Sequence, residues 1–223
     1  MLDHIPPFPI ILATALVLFL GIGLHEYAHC KFADMAGDPT PRYYGRVTLD
    51  LTKHFELSGV IMMIVSSLTG FGIGWGKAAP ADPSKMRNPR VDFFVSVAAG
   101  PISNFAQATI YALFLRLALK TGFLDKIGDP NIQSFVGNWL FLGVAINLAL
   151  FCFNLIPFGP LDGHWLVGLL LPERQRYEYF KFNQQIGMPG LFIAIIALQY
   201  LHIPLTAGPV SYFFKLLVGI PLG

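Results

Sequence analysis

Two histidines and a glutamate of this chain stand where an uncharged apolar run ends. They are His25, Glu26 and His29 in the segment HEYAH, and no charged residue occurs in Phe8–Leu24. On an α-helix, residues four apart lie on one face, so both imidazoles can bind the same metal ion. A glutamate next to the first histidine is typical of metal-dependent hydrolases, in which it acts as general base. The spacing therefore predicts a hydrolytic metal site.

A second segment supplies the ligand that two histidines lack. A catalytic zinc ion takes three protein ligands and keeps one position open. The best candidate for the third ligand is Asp162, in NLIPFGPLDG at 154–163, where prolines and glycines end an apolar segment. An ionisable residue at membrane depth is costly and indicates function, although an aspartate after a span can also simply face water. Two imidazoles, one carboxylate and an open position suit a single zinc ion.

The composition predicts a membrane protein. The 223 residues are 54% hydrophobic and 13% charged, whereas soluble domains carry about 25% charged residues. The net charge of +2 gives no reason to expect nucleic-acid binding. Because the first apolar run ends in the metal motif, we interpret it as a retained transmembrane helix and not as a cleaved signal.

The apolar segments predict an all-α, polytopic membrane protein with about five or six membrane segments, in one domain over 1–223. A spanning helix needs about 20 apolar residues. Strict alternation of polar and apolar residues in Arg46–Thr52 also predicts a short β-strand, within an element at 41–56. The predicted membrane segments are 8–30, 57–76, 93–119, 135–156, 186–203 and a short one at 209–222.

The two halves of the metal site restrict the topology. Each half sits at the C-terminal end of its span, so 8–30 and 135–156 must run in the same direction, with an odd number of crossings between them. Two apolar segments intervene, and the glycine-rich one at 57–76 is expected to be re-entrant. Eleven of the 15 Lys and Arg residues then lie on the face of the site, against three on the other face. This bias places the site toward the cytoplasmic side of a cell membrane.

These motifs together resemble the site-2 protease family of intramembrane zinc metalloproteases, in its compact branch without PDZ or CBS domains. The resemblance covers about residues 8 to 170. It implies hydrolysis of peptide bonds in or near the transmembrane helices of protein substrates. The expected partners are therefore such a substrate and the lipid bilayer. The other motifs that carry the resemblance are GDPTP at 37–41, GWGK at 74–77, NPR at 88–90 and AGPISN at 99–104.

The resemblance also implies roles for individual residues. His25, His29 and Asp162 are the implied zinc ligands, Glu26 the implied general base, and Asn154 a residue that helps to hold the substrate or the reacting carbonyl. Many members have a second glycine where this chain has His164. His164 is therefore a rival or auxiliary ligand. Asn104, inside the span 93–119, is expected to hydrogen-bond another helix, and a contribution to the site stays open.

Two other functions fit some of the same residues. A membrane metal-ion transporter would use intramembrane histidines and carboxylates along an ion path. A non-catalytic scaffold would hold zinc with four protein ligands, which His164 would complete. For the protease, the predicted strand Arg46–Thr52 suggests that an unwound substrate pairs with its edge; the alternative is an ordinary edge strand on the membrane surface.

Overall fold

The computed structural model describes residues 5–69, 74–200, 206–220 and 222. Within this part of the chain the architecture is helical and contains no β-sheet. Short 3-10 helices occur at Leu51–His54, Pro83–Lys85 and Leu124–Lys126. The α-helices are α1 (Phe8–Met35), α2 (Thr40–Tyr43), α3 (Leu57–Thr69), α4 (Pro89–Thr121), α5 (Pro130–Asn154), α6 (Asp162–Leu170), α7 (Glu173–Tyr200) and α8 (Ala207–Val218).

Three of the described helices are long and apolar enough to cross a membrane. They are α1 with 28 residues, α4 with 33 and α5 with 25, each beyond the roughly 20 residues that a span requires. They correspond to the spans predicted at 8–30, 93–119 and 135–156. The all-α membrane architecture is therefore confirmed, with three candidate spans among the described residues.

Local sequence signals set the ends of these helices. Each of the three has a proline in its first turn, where no backbone N–H is needed. The Asp129 side chain caps α5 by accepting from the N–H groups of Asn131 and Ile132. At the other end of α4, Gly122 takes a left-handed conformation with φ 59°, which terminates the helix without steric cost.

Helix α4 runs antiparallel to α1. Near its start, the Ser96 carbonyl accepts a hydrogen bond from His29 near the end of α1. Two turns later along α4, the Asn104 side chain donates to the carbonyl of Gly21, two turns earlier in α1. The order of contacts is thus reversed between the two helices.

Helix α5 is antiparallel to α4 and therefore parallel to α1. Asn104 of α4 bonds Asn147 of α5, whereas Tyr111, further along α4, packs its ring on the earlier Gly143. The spans that precede the two halves of the site consequently run in the same direction, with α4 returning between them. This is the arrangement that the two-part site requires.

The strand predicted at Arg46–Thr52 is not confirmed. These residues form bends followed by the 3-10 helix Leu51–His54. The β-type contact found in the described ranges is one isolated antiparallel bridge between Phe55 and Gly76. The hypothesis of substrate pairing along Arg46–Thr52 loses its structural basis.

Local hydrogen bonds explain why the alternating residues do not extend into a strand. The Asp50 N–H donates to the Thr48 hydroxyl, and the Thr52 hydroxyl donates to the Asp50 carboxylate. Such side-chain bonds compete with a β-ladder for the backbone. In addition, Arg46 is 3% exposed, so a position that the alternation assigned to solvent is buried.

The segment predicted as re-entrant begins with α3 and returns beside its own start. Helix α3 has 13 residues, too few to cross a bilayer, and residues 70–73 lie outside the described ranges. Trp75 then packs its backbone on Gly59, and Gly76 pairs with Phe55. Both ends of the segment therefore lie together.

The C-terminal helices give a weaker match to the predicted spans. Helix α7 is interrupted at Gly187, with φ 51° and ψ −156°, and only its continuation corresponds to the predicted span 186–203, whose residues 201–203 lie outside the description. Helix α8, predicted as 209–222, has 12 residues and is shorter than a span. It packs on α4 and α5 with Phe214 fully buried.

Candidate active site

The three predicted metal ligands converge where the C-terminal part of α1 meets the start of α6. The Nε2 atom of His25 lies 3.1 Å from Oδ2 of Asp162, and the Nε2 atom of His29 lies 3.4 Å from Oδ1 of the same carboxylate. The two Nε2 atoms are 3.0 Å apart. One ligand atom from each residue falls within 4.8 Å of the others. Residues 137 positions apart in the chain thus form one cluster.

The outer nitrogens of both histidines face hydrogen-bond acceptors. His25 Nδ1 is 2.6 Å from Oδ1 of Asn104, and His29 Nδ1 is 2.8 Å from the Ser96 carbonyl. In the neutral imidazoles Nδ1 therefore donates, and the Nε2 lone pairs face the Asp162 carboxylate. Buried Oδ2 of Asp162 has no hydrogen-bond donor. Three acceptor atoms facing one another without a proton fit a bound cation, and the N2O donor set fits zinc.

Two glycines allow the backbone to approach this cluster. A Cβ atom on Gly76 would lie 2.8 Å from Oε1 of Glu26, and one on Gly100 would collide with the ring of His29 and lie 2.8 Å from Cε1 of His25. Any side chain at these positions would displace a ligand or the predicted base. In the sequence, Gly76 belongs to the glycine-rich segment 57–76 and Gly100 to the motif AGPISN, but neither pattern reveals what lies against these glycines.

The Asp162 loop is held from α7. The Tyr179 hydroxyl donates to the Pro157 carbonyl at 2.8 Å, and the Gly159 N–H donates to Oδ1 of Asn183 at 2.9 Å. Gly159 has φ 62°, a conformation that favours glycine. Tyr179 and Asn183 were not predicted, because a pattern of polar residues in a basic helix gives no sign of partners 22 and 24 residues earlier in the chain.

The other end of α6 is held by Arg90. Its guanidinium donates from Nε to the Leu169 carbonyl at 2.7 Å and from Nη2 to the Leu171 carbonyl at 3.1 Å. These carbonyls lack partners within the helix, and a cation there is favourable to the helix dipole. Arg90 thus fixes the helix that begins with Asp162.

Arg46 holds the segment that directly follows Gly76. Its guanidinium donates to the carbonyls of Lys77 and Ala78 and lies 3.5 Å from Nδ1 of His54. His54 is fully buried, and burial lowers its pKa. The Arg46 side chain therefore holds the backbone that follows Gly76 in place.

Two of the sequence candidates lie outside the ligand cluster. His164 is 8% exposed and packs its ring against Trp165, Tyr179 and Phe180. The group of possible metal ligands found among the described residues does not include it. The Asn154 side chain donates to the Leu150 carbonyl of its own helix at 3.0 Å.

Comparison with known proteins gives a consistent result. The family model described as Peptidase family M50 matches residues 13–198, a range that contains every candidate site residue. A relative from Bacillus subtilis (strain 168), named "Putative zinc metalloprotease YwhC", is 31% identical over 179 residues, which cover 78% of this chain and 77% of that protein. No solved structure matches this chain.

Proposed function

This chain belongs to peptidase family M50, the site-2 protease family of intramembrane zinc metalloproteases, and we propose that His25, His29 and Asp162 hold its zinc ion. The convergence of one atom from each of the three within 4.8 Å carries this assignment. The transporter and scaffold alternatives are not favoured. A transporter does not need the glutamate between the histidines, and a closed scaffold site needs a fourth ligand, whereas His164 lies among aromatic rings.

Glu26 is proposed as the general base. A bound zinc ion would act as a Lewis acid that polarises the scissile carbonyl and promotes ionisation of the attacking water. Glu26 lies on α1 directly after the ligand His25 and packs against Gly76, so its carboxylate stays next to the cluster. It takes a proton from the water and delivers it to the leaving amine.

Asn154 is proposed to hold the substrate backbone. It is the last residue of α5, directly before the loop that carries Asp162. Its amide now donates to the Leu150 carbonyl of its own helix. An unwound substrate strand would offer carbonyl groups that replace this bond.

We propose that the substrate is cut in or near a transmembrane helix, with the site toward the cytoplasmic side of a cell membrane. The distribution of the Lys and Arg residues supports this orientation. Segment 57–76 is proposed to re-enter the membrane from that side, which the adjacency of Phe55 and Gly76 supports. The C-terminal half of α7 and the short helix α8 would complete five or six membrane segments.

The substitution Glu26→Gln tests the base. Purified protein carrying it should retain zinc, since no proposed ligand changes, and should lose cleavage of a panel of membrane-helix substrates. Glu178→Gln, at an exposed position of α7, is the matched control and should cleave normally. Cleavage by Glu26→Gln at the rate of the control would contradict the assignment, and zinc transport into liposomes by either variant would favour a transporter.

A further inference from the structure

Two asparagines form a hydrogen-bonded chain across the three long helices. Asn104 of α4 and Asn147 of α5 are both 0% exposed. Oδ1 of Asn104 lies 2.6 Å from Nδ1 of His25, and its Nδ2 lies 3.1 Å from Oδ1 of Asn147 and 3.0 Å from the Gly21 carbonyl. These hydrogen bonds link the proposed ligand His25 to α5, a helix that supplies none of the three proposed ligands.

The orientation of each asparagine side-chain amide follows from its hydrogen-bond partners. Nδ2 of Asn147 donates to the Gly143 carbonyl at 2.9 Å, so Oδ1 of Asn147 must face Asn104. The two hydrogens of Asn104 Nδ2 are then both used, by Oδ1 of Asn147 and by the Gly21 carbonyl. A flipped Asn104 would set its oxygen against these two acceptors. Only one orientation satisfies all groups.

That orientation decides which nitrogen of His25 carries the proton. With Oδ1 of Asn104 facing it, Nδ1 must be the donor, and Nε2 keeps the lone pair that a metal ion needs. A flipped amide would present N–H groups to Nδ1 and favour a proton on Nε2, which cannot then bind metal. Both amides are fully buried, so a wrong orientation would leave polar groups unpaired at a cost in free energy.

We propose that Asn147 is a positioning residue that sets the tautomer of His25 through Asn104. The inference rests on the proposed metal site and adds to it a residue on a helix without ligands. Gly21 permits the arrangement, since a Cβ atom there would lie 3.1 Å from Oδ1 of Asn147. His29 needs no such device because its Nδ1 faces the Ser96 backbone carbonyl, which cannot flip.

The test compares Asn147→Leu with Asn138→Leu in the purified protein. Asn138 is the matched control: it lies on the same helix and also donates to the carbonyl four residues earlier, that of Ser134, but has no contact with Asn104 in the described structure. Zinc affinity, measured by chelator competition without any substrate, should fall about 10- to 100-fold in Asn147→Leu and stay unchanged in Asn138→Leu. Equal affinities in the two variants would overturn the proposal.

A spectroscopic measurement separates positioning from general damage. The ¹⁵N NMR signals of the metal-free protein, at a pH where the imidazoles are neutral, report which nitrogen is protonated. Asn147→Leu should shift protonation of His25 toward Nε2 and leave His29 unchanged. Wild-type protein with His25 protonated on Nε2 would overturn the proposal even if the variant fails to fold.

A second substitution removes the need for orientation. Asn104→Asp presents an acceptor oxygen to His25 in either orientation. Its other oxygen then faces the acceptors of Asn147 and Gly21, so the zinc affinity of this single variant should already lie below that of the wild type. Adding Asn147→Leu to Asn104→Asp should therefore cause no further loss of zinc affinity. A further loss as large as the one that Asn147→Leu causes alone would contradict the proposed role of Asn147. If wild-type protein binds no zinc at all, the proposed metal site itself is wrong, and that outcome is distinct from a wrong role for Asn147.

Discussion

At the scale of single residues, the site is defined by which atoms face the cluster. Both histidines turn Nε2 inward because Asn104 and the Ser96 carbonyl occupy their Nδ1 atoms. Asp162, at the start of α6, completes the proposed set of metal ligands. His164, only two residues further along, turns toward Tyr179 and Phe180 instead. Two positions along one helix thus separate a proposed ligand from a packing residue.

The choice between Asp162 and His164 can be measured directly. Asp162→Asn should abolish stoichiometric zinc binding, because it removes a charged ligand. His164→Phe should retain zinc, because a ring of similar size keeps the aromatic contacts. Metal analysis of both purified variants is sufficient. Loss of zinc in His164→Phe, with a normal helix content by circular dichroism, would return His164 to the ligand set.

Gly100 offers a test of the close approach between α4 and the ligands. The methyl group of Gly100→Ala would collide with the His29 ring, so zinc affinity should fall about 10-fold or more, in the range for disturbed metal-site surroundings. Gly208→Ala is the control, since a Cβ there meets nothing within 4 Å. Equal zinc affinity in the two variants would show that α4 can shift without cost.

At the scale of elements, side chains near helix ends and in connecting segments hold the loops and the short helix around the site. Arg46 bonds the backbone of the segment that follows Gly76, and Arg90 bonds the end of α6. Tyr179 and Asn183 hold the Asp162 loop from α7. These contacts come from side chains that the sequence patterns treat as surface or interface residues.

The Arg46–His54 contact predicts a pH dependence of stability. Burial lowers the pKa of His54, so the unfolded chain binds a proton more readily than the folded one. Above the unfolded value of about 6.5 this group has no effect, and stability should fall as the pH drops below it. Thermal unfolding of wild type and His54→Gln at several pH values measures this. A slope that persists unchanged in His54→Gln would assign the effect to another group.

At the scale of the whole molecule, the direction of three helices decides whether a site can form. Helices α1 and α5 run in parallel with α4 reversed between them, as the contacts of Asn104 and Tyr111 show. Because His25 and His29 lie in the C-terminal part of α1 and Asp162 follows the end of α5, both halves reach one depth. An additional full crossing between α1 and α5 would separate them by the thickness of the bilayer.

The proposed orientation predicts the accessibility of single cysteines. In a Cys30→Ala/Cys152→Ala background, Lys53→Cys should react with a membrane-impermeant maleimide only from the cytoplasmic side, and Lys126→Cys only from the other side. Both lysines are exposed. Labelling of intact cells and of inverted vesicles distinguishes the sides. Reaction of both positions from one side would contradict the topology.

Spacing and composition alone determined the parts of this protein that depend on local periodicity. A helix places His25 and His29 on one face, and length with low charge identifies the three long spans. The demand that two half-sites meet even indicated their relative direction. The strand predicted at Arg46–Thr52 is not confirmed, because the alternation of polar and apolar residues does not reveal that Arg46 is buried or that Thr48 and Asp50 form local hydrogen bonds.

Only the tertiary structure decided the contacts between segments that are far apart in the chain. Gly76 and Gly100 matter because of what lies against them, Asn183 because of the Gly159 N–H, and Asn147 because of Asn104. A hydrogen bond depends on the position of both partners, and spacing along one helix carries no information about the other. The proposed ligands can therefore be predicted from the sequence, whereas the groups that orient them are set only by the packing of the helices.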